Sequence, residues 1–445
     1  MGVEQGAGHI RARLSTFDTA MVVFSLVVGI GIFRTPAIVA GAAGGTSLFF
    51  TAWIAGGVIS LIGALTFAEI GSRYPRAGGY YRVVADCYDP TLAFMLNWSQ
   101  TLMQGAGAAG VAFIGAEYLM PVMLPPSWRT PHASLALACG MMLVLLLLNY
   151  RGVKPGARTQ NLLSVLKIAM IIGLAVLALL IAPRVHGTEP AAAAPSGLRL
   201  ASALIPCFYA YGGYHLTMNL GADLKDAKRR FPLAITAGMI TVVTLYLLLN
   251  FAYQRVLGVA GIADSKLVAA ALSRATFGPS GEVLVSVAVF LSAAGFVNAT
   301  IIQMPRSFYA MAQDGVLPRA FLRVNPQTQV QETGLLFFGF TMLLPAFVLG
   351  SFEKLLNYVI FTDTLTLVVV ASTLFVLRRR RIGDGGFAMW GYPLLPAFYM
   401  ACLLGVAARV FSLEPRLALT GIVILLTGWP LFRLGHKLFG GRKTP

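Results

Sequence analysis

Apolar residues run along this chain in long blocks, without the spacing that would leave one face of a helix or strand to water. Runs of about 20 apolar residues, long enough for a helix to cross a bilayer core, recur near residues 17–40, 47–70, 91–119, 134–150, 160–182, 199–219, 232–254, 283–312, 333–350, 355–378, 392–411 and 416–434. The pattern predicts an all-α integral membrane protein with twelve spans. Two of the runs are broken near their middles by glycines, at Gly29-Ile30-Gly31-Ile32-Phe33 in the first and Ala210-Tyr211-Gly212-Gly213-Tyr214 in the sixth. An unwound helix exposes backbone groups that hydrocarbon cannot satisfy, so such breaks survive only where protein or a bound solute supplies partners. They therefore mark a binding site. The broken runs each head a group of five, and a five-span unit repeated in one chain inserts the second time upside down. That is the plan of an inverted-repeat transporter with broken helices 1 and 6.

Composition agrees, since 57% of the 445 residues are hydrophobic, 11% are charged and the mean hydropathy is +0.75. No soluble domain has that profile. The first run carries the glycine break and is followed by no small-residue cleavage site, so it is expected to stay in the mature protein. A net charge of +17 suggests nucleic acid in a soluble protein, but here the positions of the basic residues decide. With the N-terminus inside, the even-numbered loops and both tails hold 23 of the 34 Lys and Arg, and the odd-numbered loops hold 9. Both termini are expected to be cytoplasmic, in a plasma (inner) membrane. Arg378-Arg379-Arg380-Arg381 and Lys228-Arg229-Arg230 are then topology signals that touch anionic lipid, and no nucleic-acid partner is implied. Cys139, Cys207 and Cys402 fall in spans and Cys87 in a cytoplasmic loop, which predicts four free thiols.

The predicted organisation is a tail (1–16), a first five-helix repeat (17–182), a second, inverted repeat (199–378), two further helices (392–434) and a C-terminal tail (435–445). The longest polar stretches, Pro183 to Arg199 with its Ala191-Ala192-Ala193-Ala194-Pro195 run and Gln254 to Glu282, are expected outside the membrane. The chain has no P-loop, no Gly-x-Ser-x-Gly elbow and no clustered His or Cys at metal spacing. An enzyme, a metal and a cofactor are not expected. His9, His132, His186 and His436 are scattered, and only His215 falls beside a break.

Backbone dipoles set what the breaks can bind. Where a helix restarts, its first N–H groups are free and its N-terminus carries partial positive charge, which suits a carboxylate. Gly31 to Phe33 are expected to supply those donors. Where the sixth span stops at Phe208 to Tyr211, free carbonyls suit an ammonium. Together the two ends fit an α-amino acid. Read singly, either glycine stretch is explained equally well as close helix packing; two breaks five spans apart weigh against that.

Four stretches carry a resemblance to a known family: Gly29-Ile30-Gly31-Ile32-Phe33-Arg34-Thr35-Pro36, Ala68-Glu69-Ile70-Gly71-Ser72-Arg73-Tyr74-Pro75-Arg76-Ala77-Gly78-Gly79-Tyr80-Tyr81, Phe208-Tyr209-Ala210-Tyr211-Gly212-Gly213-Tyr214, and Arg306-Ser307-Phe308-Tyr309-Ala310-Met311-Ala312-Gln313-Asp314-Gly315-Val316-Leu317-Pro318. In order and at these spans, they resemble the amino acid-polyamine-organocation permeases, and within them the L-type amino acid transporter branch. The likeness runs nearly end to end. It implies the leucine-transporter fold and amino acid movement by alternating access. It puts the carboxylate site on Gly29, Ile30 and Gly31, the ammonium site on the carbonyls of Tyr209, Ala210 and Gly212, and the side-chain pocket on Tyr214 and His215. The family commonly has a small hydroxylated residue where Ile30 stands, so one hydroxyl bond to the carboxylate, about 1 kcal/mol, is missing. Many relatives have Glu where Tyr80 stands.

Lys167 lies within the fifth run, about 13 Å from Arg158 at 1.5 Å per residue. It either snorkels along its stem or, as the resemblance implies, matches the lysine whose ammonium replaces a sodium ion and contacts spans one and eight, with Ser292 as its eighth-span partner. Arg34 and Asp363 are two more intramembrane charges in need of partners. The neurotransmitter-sodium symporters, alike in fold only, suggest an extracellular gate pair; separate solvation is the alternative. Glu69 and Glu117 are read as span-end residues. His215 either couples transport to protons or bonds a polar substrate side chain. With no carboxylate near the pocket other than Asp363, neutral L-amino acids are preferred to cationic ones. The expected function is sodium-independent exchange of amino acids; proton-coupled symport of amino acids or amines is the alternative, and an amino acid sensor the third reading. The outer loop between spans three and four has no cysteine to tie a partner glycoprotein, so no obligatory partner subunit is expected.

Overall fold

The computed structural model describes residues 10, 12–182, 196–265, 267–348 and 353–439. His9, His186, the Ala191–Pro195 run and most of both expected tails lie outside these residues, as does the end of the ninth apolar run. Among the described residues the protein is all-helical, with two isolated bridges and no strand. In chain order the helices are α1 (Thr16–Val27), α2 (Gly31–Ala43), α3 (Thr46–Arg73), α4 (Gly79–Cys87), α5 (Pro90–Met123), α6 (Pro131–Tyr150), α7 (Val153–Ile181), α8 (Ser196–Tyr211), α9 (Ala227–Ala263), α10 (Val268–Phe277), α11 (Gly281–Gln313), α12 (Glu332–Val348), α13 (Glu353–Arg379), α14 (Leu394–Leu413) and α15 (Pro415–Phe439).

Every apolar run coincides with a helix, but nine helices are long and apolar enough to cross a membrane among the described residues, or ten if α1 and α2, bent by 44°, form one span. This is a multi-pass membrane protein. α8 is shorter, 16 residues, because the glycine break ends it at Tyr211. Helix starts follow local chemistry. Ser15 caps α1 through a capping box with Asp18, and Asp89 accepts from the amides of Thr91 (2.7 Å) and Leu92 (3.2 Å) just before Pro90 opens α5. α7 begins at Val153, whose amide donates to the Thr328 carbonyl, so Lys167 lies about 21 Å into its helix, deeper than Arg158 suggested. α3 packs on α8 and α9, α1 on α7 and α9, and α5 on α11 and α12.

One face of the bundle is held by buried charge. The Arg13 and Leu14 amides both donate to the Asp223 carbonyl at 2.9 Å, and the Asp223 carboxylate takes two bonds from Arg306 at 2.9 and 3.1 Å. Asp314 pairs with Arg82 and accepts from the Tyr81 hydroxyl at 2.9 Å. Glu69, fully buried, is bonded by Arg73, by Arg378 and by the Met389 amide at 2.9 Å. Glu69 is thus more than a span-end residue, and Arg378 is its part-buried pairing partner, whereas Arg379, Arg380 and Arg381 are exposed. Gly435 of α15 packs on Val316 just after α11, which puts the last turns of α15 on the same face as Arg13 and Leu14. On the same side, burial pushes the Cys87 thiol of α4 up to about 11.

Candidate substrate site at two helix breaks

The break between α1 and α2 spans Val28 to Ile30, and the break after α8 spans Gly212 and Gly213. They meet. Gly213 has φ of +106°, where L side chains are strained, and a Cβ there would lie 2.5 Å from the Leu26 carbonyl oxygen. Only glycine lets the second break lie against the end of α1. A Cβ on Gly31 would sit 3.7 Å from the Ala210 Cα. Tyr246 of α9 stitches the two together, its hydroxyl 3.3 Å from the Val27 carbonyl and 3.2 Å from that of Ala210.

A cavity of about 150 Å³ opens beside this contact and is lined by Gly29, Ile30, Gly31, Tyr209, Ala210, Gly212, Tyr214, His215 and Asp363 among others. All eight residues expected to bind substrate therefore face one space. Their backbone groups differ in what they still offer. The Phe33 amide donates to Ile30 at 3.1 Å, which removes one of the three donors expected from Gly31 to Phe33. The Gly212 amide donates to Tyr209 at 3.2 Å, and Ala210 already faces the Tyr246 hydroxyl, so the carbonyls expected to hold an ammonium are partly engaged. A carbonyl oxygen has two lone pairs, which leaves each able to accept again.

Behind the first break, Lys167 is buried at 1% exposure, and its Nζ donates to the Val28 carbonyl at 2.6 Å and to Ser25 Oγ at 3.4 Å. Its tip occupies the space that a side chain on Gly295 of α11 would fill: a Cβ there would be 2.7 Å from Lys167 Cε. Ser292 Oγ, one turn earlier on α11, donates to the Gly29 carbonyl at 2.7 Å. The ammonium and the hydroxyl thus meet the carbonyls that the unwinding of the first helix frees. A buried polar chain leads on from Ser25, through Ser164 (2.8 Å) and Gln160 (3.1 Å) to Asn298 (2.9 Å) and Asn149 (2.6 Å).

Arg34 and Asp363 were expected to face one another. Asp363 accepts from Gln100 Nε2 and lies 3.7 Å from His215 Nε2, and Arg34 is exposed and within electrostatic range of Glu117, Tyr118 and Tyr209. Tyr209, 39% exposed, also feels Asp363, so the two charges act on one side chain. Tyr214 and Tyr399 share a hydroxyl contact of 2.9 Å under the cavity. Tyr80 is buried with its ring 6.5 Å from that of His215. Gln100, Tyr246 and Tyr399 are not legible as site residues in the sequence, because a lone amide or phenol in an apolar run carries no signal of its own. No three His, Cys, Asp or Glu side chains gather as metal ligands among the described residues.

A membrane bundle with two apposed helix breaks around a cavity defines a class of solute-binding membrane proteins. The chain belongs to the amino acid permease family, whose model matches residues 14–428. It is 26% identical to the serine/threonine exchanger SteT of Bacillus subtilis over 429 residues, covering 95% of this chain and 96% of that one. It is also 26% identical to the human Asc-type amino acid transporter 1 (96% and 82%) and 27% identical to the human cystine/glutamate transporter (96% and 85%).

Proposed function

We propose that this protein exchanges neutral L-amino acids across the plasma (inner) membrane by alternating access, without sodium, in a chain of twelve spans with a 5+5 inverted repeat and cytoplasmic termini. The observation that carries the reading is the apposition of the two breaks, Gly31 against Ala210 and Gly213 against Leu26, beside one cavity. Gly29, Ile30 and Gly31 take the substrate carboxylate, and the carbonyls of Tyr209, Ala210 and Gly212 take its ammonium. The shared face of Arg13, Leu14 and the last turns of α15 supports an even number of spans. The names of the relatives, exchangers and transporters of amino acids, support transport over catalysis, and the lack of a cysteine in the outer loop between spans three and four supports a chain that works without a partner subunit.

Freedom from sodium rests on Lys167, whose ammonium already supplies positive charge at the Val28 carbonyl. In the same reading Lys167 and Ser292 tether the first helix as it rocks, and Arg34 closes on Asp363 above the bound substrate when the outer vestibule shuts. Proteoliposomes test this. Uptake of a labelled neutral amino acid should rise at least tenfold when the lumen is preloaded with unlabelled amino acid, and should be equal in sodium and choline buffers. Uptake that needs sodium, or that ignores internal substrate, would overturn the exchange reading. The approach of His215 to Asp363 favours proton coupling as the second reading. An imposed pH gradient that drives accumulation from empty vesicles would select it.

A further inference from the structure

We infer that the side-chain end of this site selects amino acids whose side chain donates a hydrogen bond, and rejects both aliphatic and acidic isosteres. The inference rests on the substrate site proposed above and adds its specificity. Asp363 and His215 face the cavity side by side, carried by α13 and by the short 3-10 helix Tyr214–Asn219 that follows the second break. His215 is 2% exposed, and neither ring nitrogen has a hydrogen-bond partner among the described residues. At 3.7 Å its Nε2 is too far from Asp363 Oδ1 for a hydrogen bond. Asp363 is one-quarter exposed to the cavity, and its described side-chain donor is Gln100 Nε2.

A carboxylate has about four lone-pair positions, and its one described side-chain donor leaves Asp363 with acceptor capacity where it lines the cavity. A buried polar group without partners is costly, and a ligand that completes the set recovers that cost. A hydroxyl fits both neighbours, since it donates its one proton to Asp363 and accepts from a protonated ring nitrogen of His215. A side-chain amide does the same with two atoms. A methyl in the same place leaves both groups unsatisfied and desolvated. A second carboxylate adds like-charge repulsion in a site lined by the Tyr214 and Tyr399 rings, with Phe67 packed against both and against the imidazole. The apolar surroundings make that repulsion large. Sites that hydrogen-bond a substrate group discriminate far more sharply than apolar pockets that sort by size.

Two pairs of near-isosteres test this on the full-length protein in detergent, with binding read as thermal stabilisation across a titration and repeated as competition for exchange in proteoliposomes. Threonine should bind at least tenfold more tightly than valine, and asparagine at least tenfold more tightly than aspartate. Asp363→Asn keeps an acceptor and removes the charge, so it should compress the asparagine–aspartate ratio at least fivefold while the threonine–valine ratio stays within threefold. Asp363→Leu should compress both ratios toward one. Should Asp363→Leu fail to fold, the isosteric Asp363→Asn variant still decides. Equal binding within either pair by the unaltered protein, or ratios untouched in Asp363→Asn, would overturn the inference while leaving amino acid exchange standing. Failure of all four amino acids to bind would overturn both.

Discussion

The two helix breaks solve one problem in different ways. At the first, the carbonyls of Val28 and Gly29 are met by side chains from other helices, Lys167 of α7 and Ser292 of α11. At the second, no charged side chain among the described residues bonds the backbone; Gly213 settles it by lying directly on the Leu26 carbonyl, with Tyr246 bridging the two. The first break is held from behind by a cation, the second from the front by close fit. A break held by a side chain fails when that side chain is shortened. A break held by fit fails when an atom is added.

The largest effect should come from Lys167→Ala. The charged bond to Val28 is worth about 3 kcal/mol at the upper end for a hydrogen bond to a charged group, or roughly a hundredfold in an equilibrium. Uptake into proteoliposomes should fall by about that factor while membrane insertion, read by the amount of protein in the membrane fraction, is unchanged. Uptake at the original rate would remove Lys167 from the mechanism. Next, Gly213→Ala should cost about 1–3 kcal/mol from backbone strain and lower the melting temperature in detergent, whereas Gly29→Ala, whose Cβ would meet the Phe296 ring at an ordinary 3.5 Å, should melt close to the parent. Equal melting of the two variants would erase the contrast between the breaks. Tyr246→Phe removes the hydroxyl that serves both, at about 1 kcal/mol, and should slow exchange severalfold with a small fall in melting temperature. A variant indistinguishable from the parent would show the breaks to be independent. Smallest, Ser292→Ala should cost under about 1 kcal/mol because Lys167 still holds the neighbouring carbonyl. A loss as large as that of Lys167→Ala would make the hydroxyl, and not the ammonium, the main tether.

Much of this was legible in the residues. Glycine pairs inside apolar runs are conspicuous because hydrocarbon tolerates few exposed amides, and Lys167 stands out as a charge where charge is rare. The helix positions follow from run length alone. What could not be read is pairing across the bundle. The neighbours of Asp363 in this structure, Gln100 and His215, carry no such signal, because a neutral amide in an apolar run gives no hint of its partner. Glu69 looked peripheral because it stands near a span end; its burial depends on Arg378 and the Met389 amide, some 300 residues away in the chain. The same holds for Asp223, which no motif announced and which Arg306 satisfies from α11.

Asp223 is gripped at both its ends, by the N-terminal Arg13 and Leu14 amides at its backbone and by Arg306 at its carboxylate. Such a two-handed residue cannot let go with one hand and keep its aim with the other. Peeling the N-terminal segment away would swing the carboxylate off Arg306, so that side of the molecule should unzip as a single event with no stable halfway stage. Spin labels on the N-terminal segment and on α11 would separate together, in one step, as the protein turns over; separation in two resolved steps would show the grips to be independent.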